Sequence, residues 1–192
     1  MENCVDIITS GIEKDCATLN AAIGVDKDLI LINYADVDIT GTLAAANIEA
    51  DDTNNNIKGL TEIKLKVGTV QYIFEGTDFS VVPNPTSEVR EDGTSWYNHS
   101  IQFMSYSKTA DARKTMESLG QSKVIAIAKD RSTGLYELFG IQHGLTLGSL
   151  ERAYVGSQNS NFYSITIGTP EVGQMKESSM GELAVLIVTA VS

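Results

Sequence analysis

The chain has 192 residues, with 14 Lys+Arg against 25 Asp+Glu, so its net charge is 14 − 25 = −11. Through Asn56 there are 11 acids and two bases, a net of −9; from Ile57 onward 14 acids face 12 bases, a net of −2. An acidic front on a nearly neutral body excludes a reader of duplex DNA or of an anionic membrane surface, because phosphate binding needs clustered Lys and Arg.

At this length one domain is expected, and 42% hydrophobic with 20% charged residues suits a folded chain. Met1 to Asp6 lacks the basic and apolar regions of a secretory signal. The longest apolar run, Leu183 to Val191, is far short of the ~20 residues that span a bilayer. A soluble protein made in a cytoplasm is therefore expected. Cys4 and Cys16 are the only cysteines, and with His99 and His143 they give no zinc spacing. A reducing compartment favours two small semi-buried side chains over a disulfide.

In chain order, Leu29–Tyr34 reads as the first strand. Thr61 to Val67 and Val70 to Glu75 flank Gly68-Thr69 and predict a two-residue hairpin pairing Val67 with Val70, Leu65 with Tyr72, and Ile63 with Phe74. Each apolar residue then meets an apolar partner, with Lys64 diagonal to Glu75. Thr77 to Ser95 reads as a long loop, usually functional or disordered in a small domain. Trp96–Tyr106 reads as a strand.

The one helix expected is Asp111 to Leu119, within about 109–120. Ala112, Met116 and Leu119 recur at helical spacing, Thr109 caps the start and Gly120 follows the end. Lys123–Asp130 and Leu135–Ile141 predict a second hairpin across Ser132-Thr133-Gly134, opposing Lys129 to Glu137, Ala128 to Leu138, and Ile127 to Phe139. Both faces of these strands are apolar, which suits a sheet covered on two sides. Phe162–Ile167 and Leu183–Thr189 complete the strands, the last again apolar on both faces. The fold class is mainly β, one domain, with a single helix.

Residues for chemistry are sparse. No nucleophile elbow, P-loop or zinc-protease motif occurs, and His99 and His143 read as surface polar residues. Asp36 and Asp38 lack the burial that separates the pKa values of a catalytic pair. Asp36-Val-Asp-Ile-Thr-Gly41 resembles half a calcium loop, but position 12 is Asn47 and no helices are expected beside it. Trp96, Tyr97, Phe103 and Tyr106 suit base stacking, yet the basic groove that accompanies stacking is missing. No enzyme activity, cofactor or metal is expected.

The order of elements does point somewhere. A segment with Cys4 and Gly24 leads into Leu29–Asp36, then a hairpin ending Val70-Gln-Tyr-Ile-Phe-Glu75, a long polar loop and a strand through Ile101-Gln-Phe103. The lone helix follows, then Val124–Asp130, Tyr136–Gly140, His143-Gly-Leu145 and Phe162–Gly168, with Glu171 close behind. This order resembles the tail tube (major tail) proteins of bacteriophages, particularly those of Bacteroidetes phages.

The resemblance implies a β-sandwich or small barrel with one flanking helix. It also implies homohexameric rings stacking into a tube in the virion tail, contacts with other tail proteins, and DNA only as passing cargo, with no membrane partner. Residues Glu62, Lys64, Lys66, Gln71, Ile73 and Glu75 would form an inner-barrel hairpin. Lys64 and Lys66 dilute an anionic lining, so Asp26, Asp28, Asp36, Asp38, Asp51 and Asp52 become the candidates for lining or seam. Leu183, Val185 and Ile187 are the candidate intersubunit strand, and the 77–95 loop and the acidic 1–56 segment the candidate bridges. Competing expectations are the tube of a contractile injection or secretion apparatus and a monomeric calcium- or carbohydrate-binding sandwich. An enzyme stands last.

Overall fold

Four consecutive apolar residues, Leu29 to Ile32, organise the fold, because a strand sends alternate side chains to opposite faces. Leu29 and Leu31 enter one core, while Ile30 and Ile32 join a second core behind it. They lie on β1 (Val25–Asn33) in a computed structural model that describes residues 24–44, 59–89, 91, 93, 95–131, 134, 136–154, 161–170 and 182–188. The neighbouring strand β8 (Val124–Asp130) repeats the pattern. Its Val124, Ala126 and Ala128 face the first core, and Ile125 and Ile127 the second.

Around this pair runs a six-stranded sheet in the order β2-β12-β9-β8-β1-β3. Its other members are β2 (Gly59–Lys64), β3 (Tyr72–Glu75), β9 (Tyr136–Phe139) and β12 (Glu182–Val188). All its pairings are antiparallel except β2 with β12, which is parallel. A four-stranded sheet in the order β10-β11-β7-β4 faces it, built from β10 (Thr146–Tyr154), β11 (Asn161–Gly168), β7 (Ser100–Ser105) and β4 (Val81–Pro83). Ile101, Phe103, Tyr163, Ile165 and Ile167 point into the space between the sheets. Gln102 and Ser164 point out and hydrogen-bond each other at 3.2 Å. The fold is thus mainly β, a sandwich with a helix at its flank.

The second core sits on the far side of the six-stranded sheet, which curls toward closure there. Val37, just beyond β1, bridges Leu65, just beyond β2. Asp38 N–H donates to Lys64 O at 2.9 Å and Lys66 N–H to Asp36 O at 2.8 Å. The short helix α1 (Ile39–Ala44) lies against this seam, and the buried Thr42 hydroxyl accepts the Lys64 N–H at 2.9 Å.

The flanking helix α2 spans Ala110–Leu119, with Met116 and Leu119 buried. Thr109 Oγ1 caps it by accepting the Ala112 N–H at 3.1 Å. Gly120 does not take the left-handed conformation of a terminating glycine; it stays right-handed. The chain leaves instead through i−3 bonds from Gln121 to Ser118 O and from Ser122 to Leu119 O. The space there is close, since a Cβ would meet Glu117 O at 3.3 Å and Leu147 Cδ2 at 3.4 Å.

Two expectations need correction. The segments 61–67 and 70–75 do not form a hairpin: β2 pairs with β12 and β3 with β1, at opposite edges of the sheet. Phe74 opposes Leu29, and Ile63 opposes Ile187. The turn explains the parting. Thr69 N–H bonds to Lys66 O at 3.3 Å, and the second central residue, Gly68, has φ 81°. That is the hand of a type II turn, whose twist opposes that of paired strands and splays them.

The second hairpin exists, one residue out of the expected register: Ile127 opposes Leu138 and Ala126 opposes Phe139. Because both faces of β8 are apolar, hydrophobic pattern alone does not choose between the registers. Size does, since Phe139 fits over Ala126 on the side where Ala128 also leaves room.

The structure adds elements that the sequence pattern does not announce: α1, β4, β10 and β5 (Thr86–Val89). Strand β5 pairs with β6 (Ser95–Asn98) as a two-stranded ribbon within the expected long loop. Strand β6 is separated from β7 by His99, so the expected strand 96–106 is two strands.

Gly134 and Gly140 both hold positive φ, 72° and 78°. A Cβ at Gly134 meets nothing within 4 Å, whereas one at Gly140 would lie 2.6 Å from Leu145 Cγ. Urea unfolding should therefore find Gly134→Ala destabilised by about 1–2 kcal/mol from backbone strain alone. Gly140→Ala should lose more than that, because Leu145 is fully buried and cannot retreat. Equal losses at the two positions would contradict this packing.

Candidate functional site

The expected inner hairpin is divided by the topology. Lys64 N–H is held by Thr42, and Lys66 Nζ donates to Ala35 O at 2.7 Å, so the second lysine fastens the seam. Gln71, Ile73 and Glu75 stand with β3 on the other edge of the sheet, where Ile73 is 60% exposed. Glu62 lies on β2.

The candidate acids fall into separate places. Asp26 and Asp28 begin β1; Asp28 lies directly opposite Glu75, a like-charge pairing that costs stability. Asp26 sits 3.6 Å from Arg131. Asp26 and Asp28 border a small hollow with Ile73, Lys129 and Tyr136. Asp36 and Asp38 lie past the other end of β1 and are used locally. Asp36 accepts from Asn33 Nδ2 at 3.1 Å, and Asp38 Oδ1 accepts the Gly41 N–H at 3.0 Å in the first turn of α1. The half calcium loop is therefore a helix start, with Gly41 packed so close to Asp38 that a Cβ would overlap its carboxylate. Asn47, Asp51 and Asp52 lie outside the described residues, as do Cys4 and Cys16. Among the described residues no group of three His, Cys, Asp or Glu is placed to hold a metal, and no helix is long and apolar enough to cross a membrane.

Leu183, Val185 and Ile187 belong to β12, which has β2 on one side and β9 on the other. The Leu183 backbone opposes both Gly59 and Glu137, so at that end the strand is interior to the sheet. The aromatic row divides as well: Phe103 is in the core, Trp96 and Tyr97 are half-buried on β6, and Tyr106 packs on Phe162 at 5.9 Å.

His99 corrects a further expectation. It is buried, its Nδ1 accepts the Gly140 N–H at 3.0 Å, and its ring meets Phe139 edge-on at 5.4 Å. Its backbone exchanges hydrogen bonds with Thr169, N–H to Oγ1 at 2.8 Å and Thr169 N–H to O at 2.9 Å. His99 joins the two sheets at the break between β6 and β7.

A groove between β3 and α2 has no counterpart among the sequence expectations. One part, about 510 Å³, is lined by Gln71, Tyr72, Ile73, Phe74 and Glu75 from the strand, and by Ala112, Thr115 and Met116 from the helix. A second part, about 280 Å³, shares Tyr72, Phe74 and Thr115 and runs on to Ser122 and Val124. Alternate residues of a strand face opposite ways, so the four successive residues of β3 line one groove only if it follows the strand's edge. Among the described residues β3 has β1 on one side and no strand on the other.

The turn after β3 is held tightly. Gly76 N–H donates to Lys27 O at 3.0 Å and Ser80 N–H to Thr77 O at 3.0 Å. The Asp78 carboxylate pairs with Arg131. The hydrogen bond and charge of that guanidinium hold the Asp78 pKa below the usual carboxylate range. Phe79 is the single non-glycine residue with positive φ among the described residues, at 63°. It is 66% exposed, so an aromatic ring is displayed from a strained position.

Comparison with known proteins finds no matching family, no matching curated protein and no matching solved structure.

Glu137 on β9 has its pKa raised, first by burial and then by the negative charge of Asp130. The folded state holds that proton more tightly than the unfolded chain does. The group therefore subtracts stability as pH rises above the ordinary glutamate value, fully so beyond its raised one, and costs nothing well below both. Glu137→Gln should accordingly be more stable than the parent at pH 8 and lose that advantage near pH 3, by urea unfolding at both. An advantage independent of pH would contradict the assignment.

Proposed function

We propose that this chain is the structural subunit of a bacteriophage tail tube, assembling head to tail into stacked homohexameric rings that conduct DNA during ejection. The observation that carries the reading is that strands β3 and β5 each have, among the described residues, an edge with no neighbouring strand. Strand β3 ends the six-stranded sheet with Ile73 60% exposed, and β5 ends a two-stranded ribbon with Val89 70% exposed. Open edges with apolar side chains are templates for pairing, and monomeric proteins ordinarily blunt them. Head-to-tail contacts between identical chains close into rings when the rotation permits.

The sandwich with one flanking helix agrees with what the resemblance to tail tube proteins implies. The excess of acid suits a wall that DNA passes without sticking, and Glu75, exposed on the edge strand β3, is a described acid that fits it. The reading assigns no catalysis, cofactor or metal. It puts the protein in the virion tail after synthesis in a bacterial host, with other tail proteins as further partners and no membrane partner.

Negative-stain microscopy of the purified protein across a concentration series tests it. Rings and short tubes are expected. A particle that stays a 20.7 kDa monomer at every concentration would overturn the proposal.

A further inference from the structure

The turn between β3 and β4 breaks a local rule of its own backbone. The Ser80 N–H donates to Thr77 O at 3.0 Å, and the Thr77 N–H donates to Ser80 Oγ at 3.0 Å. Phe79 takes the third position with φ 63°, and Asp78 before it is not left-handed. That is the hand of a type II turn, whose third position belongs to glycine or asparagine because a Cβ is strained there. Burial of the ring does not offset the strain. The ring is 66% exposed, and it lies beside Gly24, where a Cβ would stand 3.6 Å from two of its carbons. A strained residue persists only where its surroundings over-determine it.

The ends of this turn are fixed by backbone. The Gly76 N–H donates to Lys27 O at 3.0 Å, and the Met104 N–H donates to Ser80 O at 3.1 Å. The middle is held by charge, through the Asp78 carboxylate on the Arg131 guanidinium. Arg131 keeps its own place, with its backbone N–H on Gly24 O at 3.1 Å and Asp26 3.6 Å from its guanidinium. Lys27 is the other positive charge acting on Asp78. The Asp78 side chain is 67% exposed, and an exposed pair contributes little and weakens with salt. The strain of one left-handed residue is of the same order as what such a pair contributes. Opposing effects of similar size leave two positions open to the turn.

We propose that the 77–80 turn is a two-position switch latched by the Asp78–Arg131 ion pair. Latched, residue 79 stays left-handed and its ring stands beside Gly24. Unlatched, residue 79 relaxes to the ordinary negative φ and the ring leaves Gly24. The trigger is a cationic group, an ammonium or guanidinium of a docking protein, that takes the exposed Asp78 carboxylate. Asp26 then retains Arg131, so the latch can close again. Strands β3 and β4 end different sheets, so the switch sits where the chain passes from one sheet's edge to the other's. It is a property of the single chain and does not depend on the tube reading.

Nuclear magnetic resonance of the dilute full-length chain tests the switch, because a strong NOE between a residue's own amide and Hα marks positive φ. For Phe79 that NOE is expected to be strong in the parent at low salt. It is expected to be weak in Asp78→Asn, in Arg131→Gln, and in the parent at high salt. An NOE that stays strong in any of these three, or is already weak in the parent at low salt, would overturn the switch. An oligoarginine peptide should weaken it at an ionic strength where sodium chloride leaves it strong; equal effects of the two would overturn the cationic trigger. Chymotrypsin cleavage after Phe79 gives a second readout, since cutting follows the population of the opened turn. Asp78→Asn should be cut at least tenfold faster than the parent, with an unchanged urea midpoint. Equal cutting rates would count against the latch.

Discussion

The structure depends on one constraint: β1 and β8 are apolar on both faces, and both faces must be covered. Leu29, Leu31, Ala126 and Ala128 demand a layer on one side, while Ile32, Ile125 and Ile127 demand one on the other. Each large side chain among them is worth roughly 1.5–3 kcal/mol when buried. The four-stranded sheet answers the first demand. The second is met by bending the sheet itself, so that Val37 reaches Leu65 and α1 closes over the seam. A short helix, a buried Thr42 and a lysine engaged on Ala35 O all follow from that second demand.

With both faces covered, β3 and β5 still have, among the described residues, a single neighbour each. Strand β3 has four residues and, among the described residues, one neighbour. The ribbon β5–β6 has no third strand among the described residues. Burial side by side with exposure in so small a protein is intelligible if the remaining cover comes from other copies. The acidic front divides along the same lines. Asp36 and Asp38 serve local turns, whereas Asp26 lies 3.6 Å from Arg131 and Asp28 lies opposite Glu75.

Much of this was legible in the sequence. Two-sided strands announced the buried centre of the sheet, and Thr109 with Met116 and Leu119 marked the flanking helix within a residue. The failures share a physical cause: local patterns state which residues are apolar and leave open which strand they meet. Thr61–Val67 and Val70–Glu75 match each other well, yet a type II turn at Gly68 sends them to opposite edges. On β8 the apolar pattern permitted two registers, and the volume of Phe139 against Ala126 decided between them. His99 carried no local sign of burial, because its partners, Gly140 N–H and Thr169, are 41 and 70 residues away. The groove was equally invisible, since its two walls, β3 and α2, are about 40 residues apart in the chain and meet only in the fold.

The central claim is that folding completes the β1–β8 centre and leaves β3 and β5 for a neighbour. Amide hydrogen exchange, followed residue by residue in dilute and in assembled protein, measures this directly. The account predicts slow exchange in β1 and β8 under both conditions. It predicts fast exchange for the outward amides of β3 and β5 when dilute, slowing at least tenfold on assembly. Full protection of β3 and β5 in the dilute monomer, or no change in either on assembly, would contradict it.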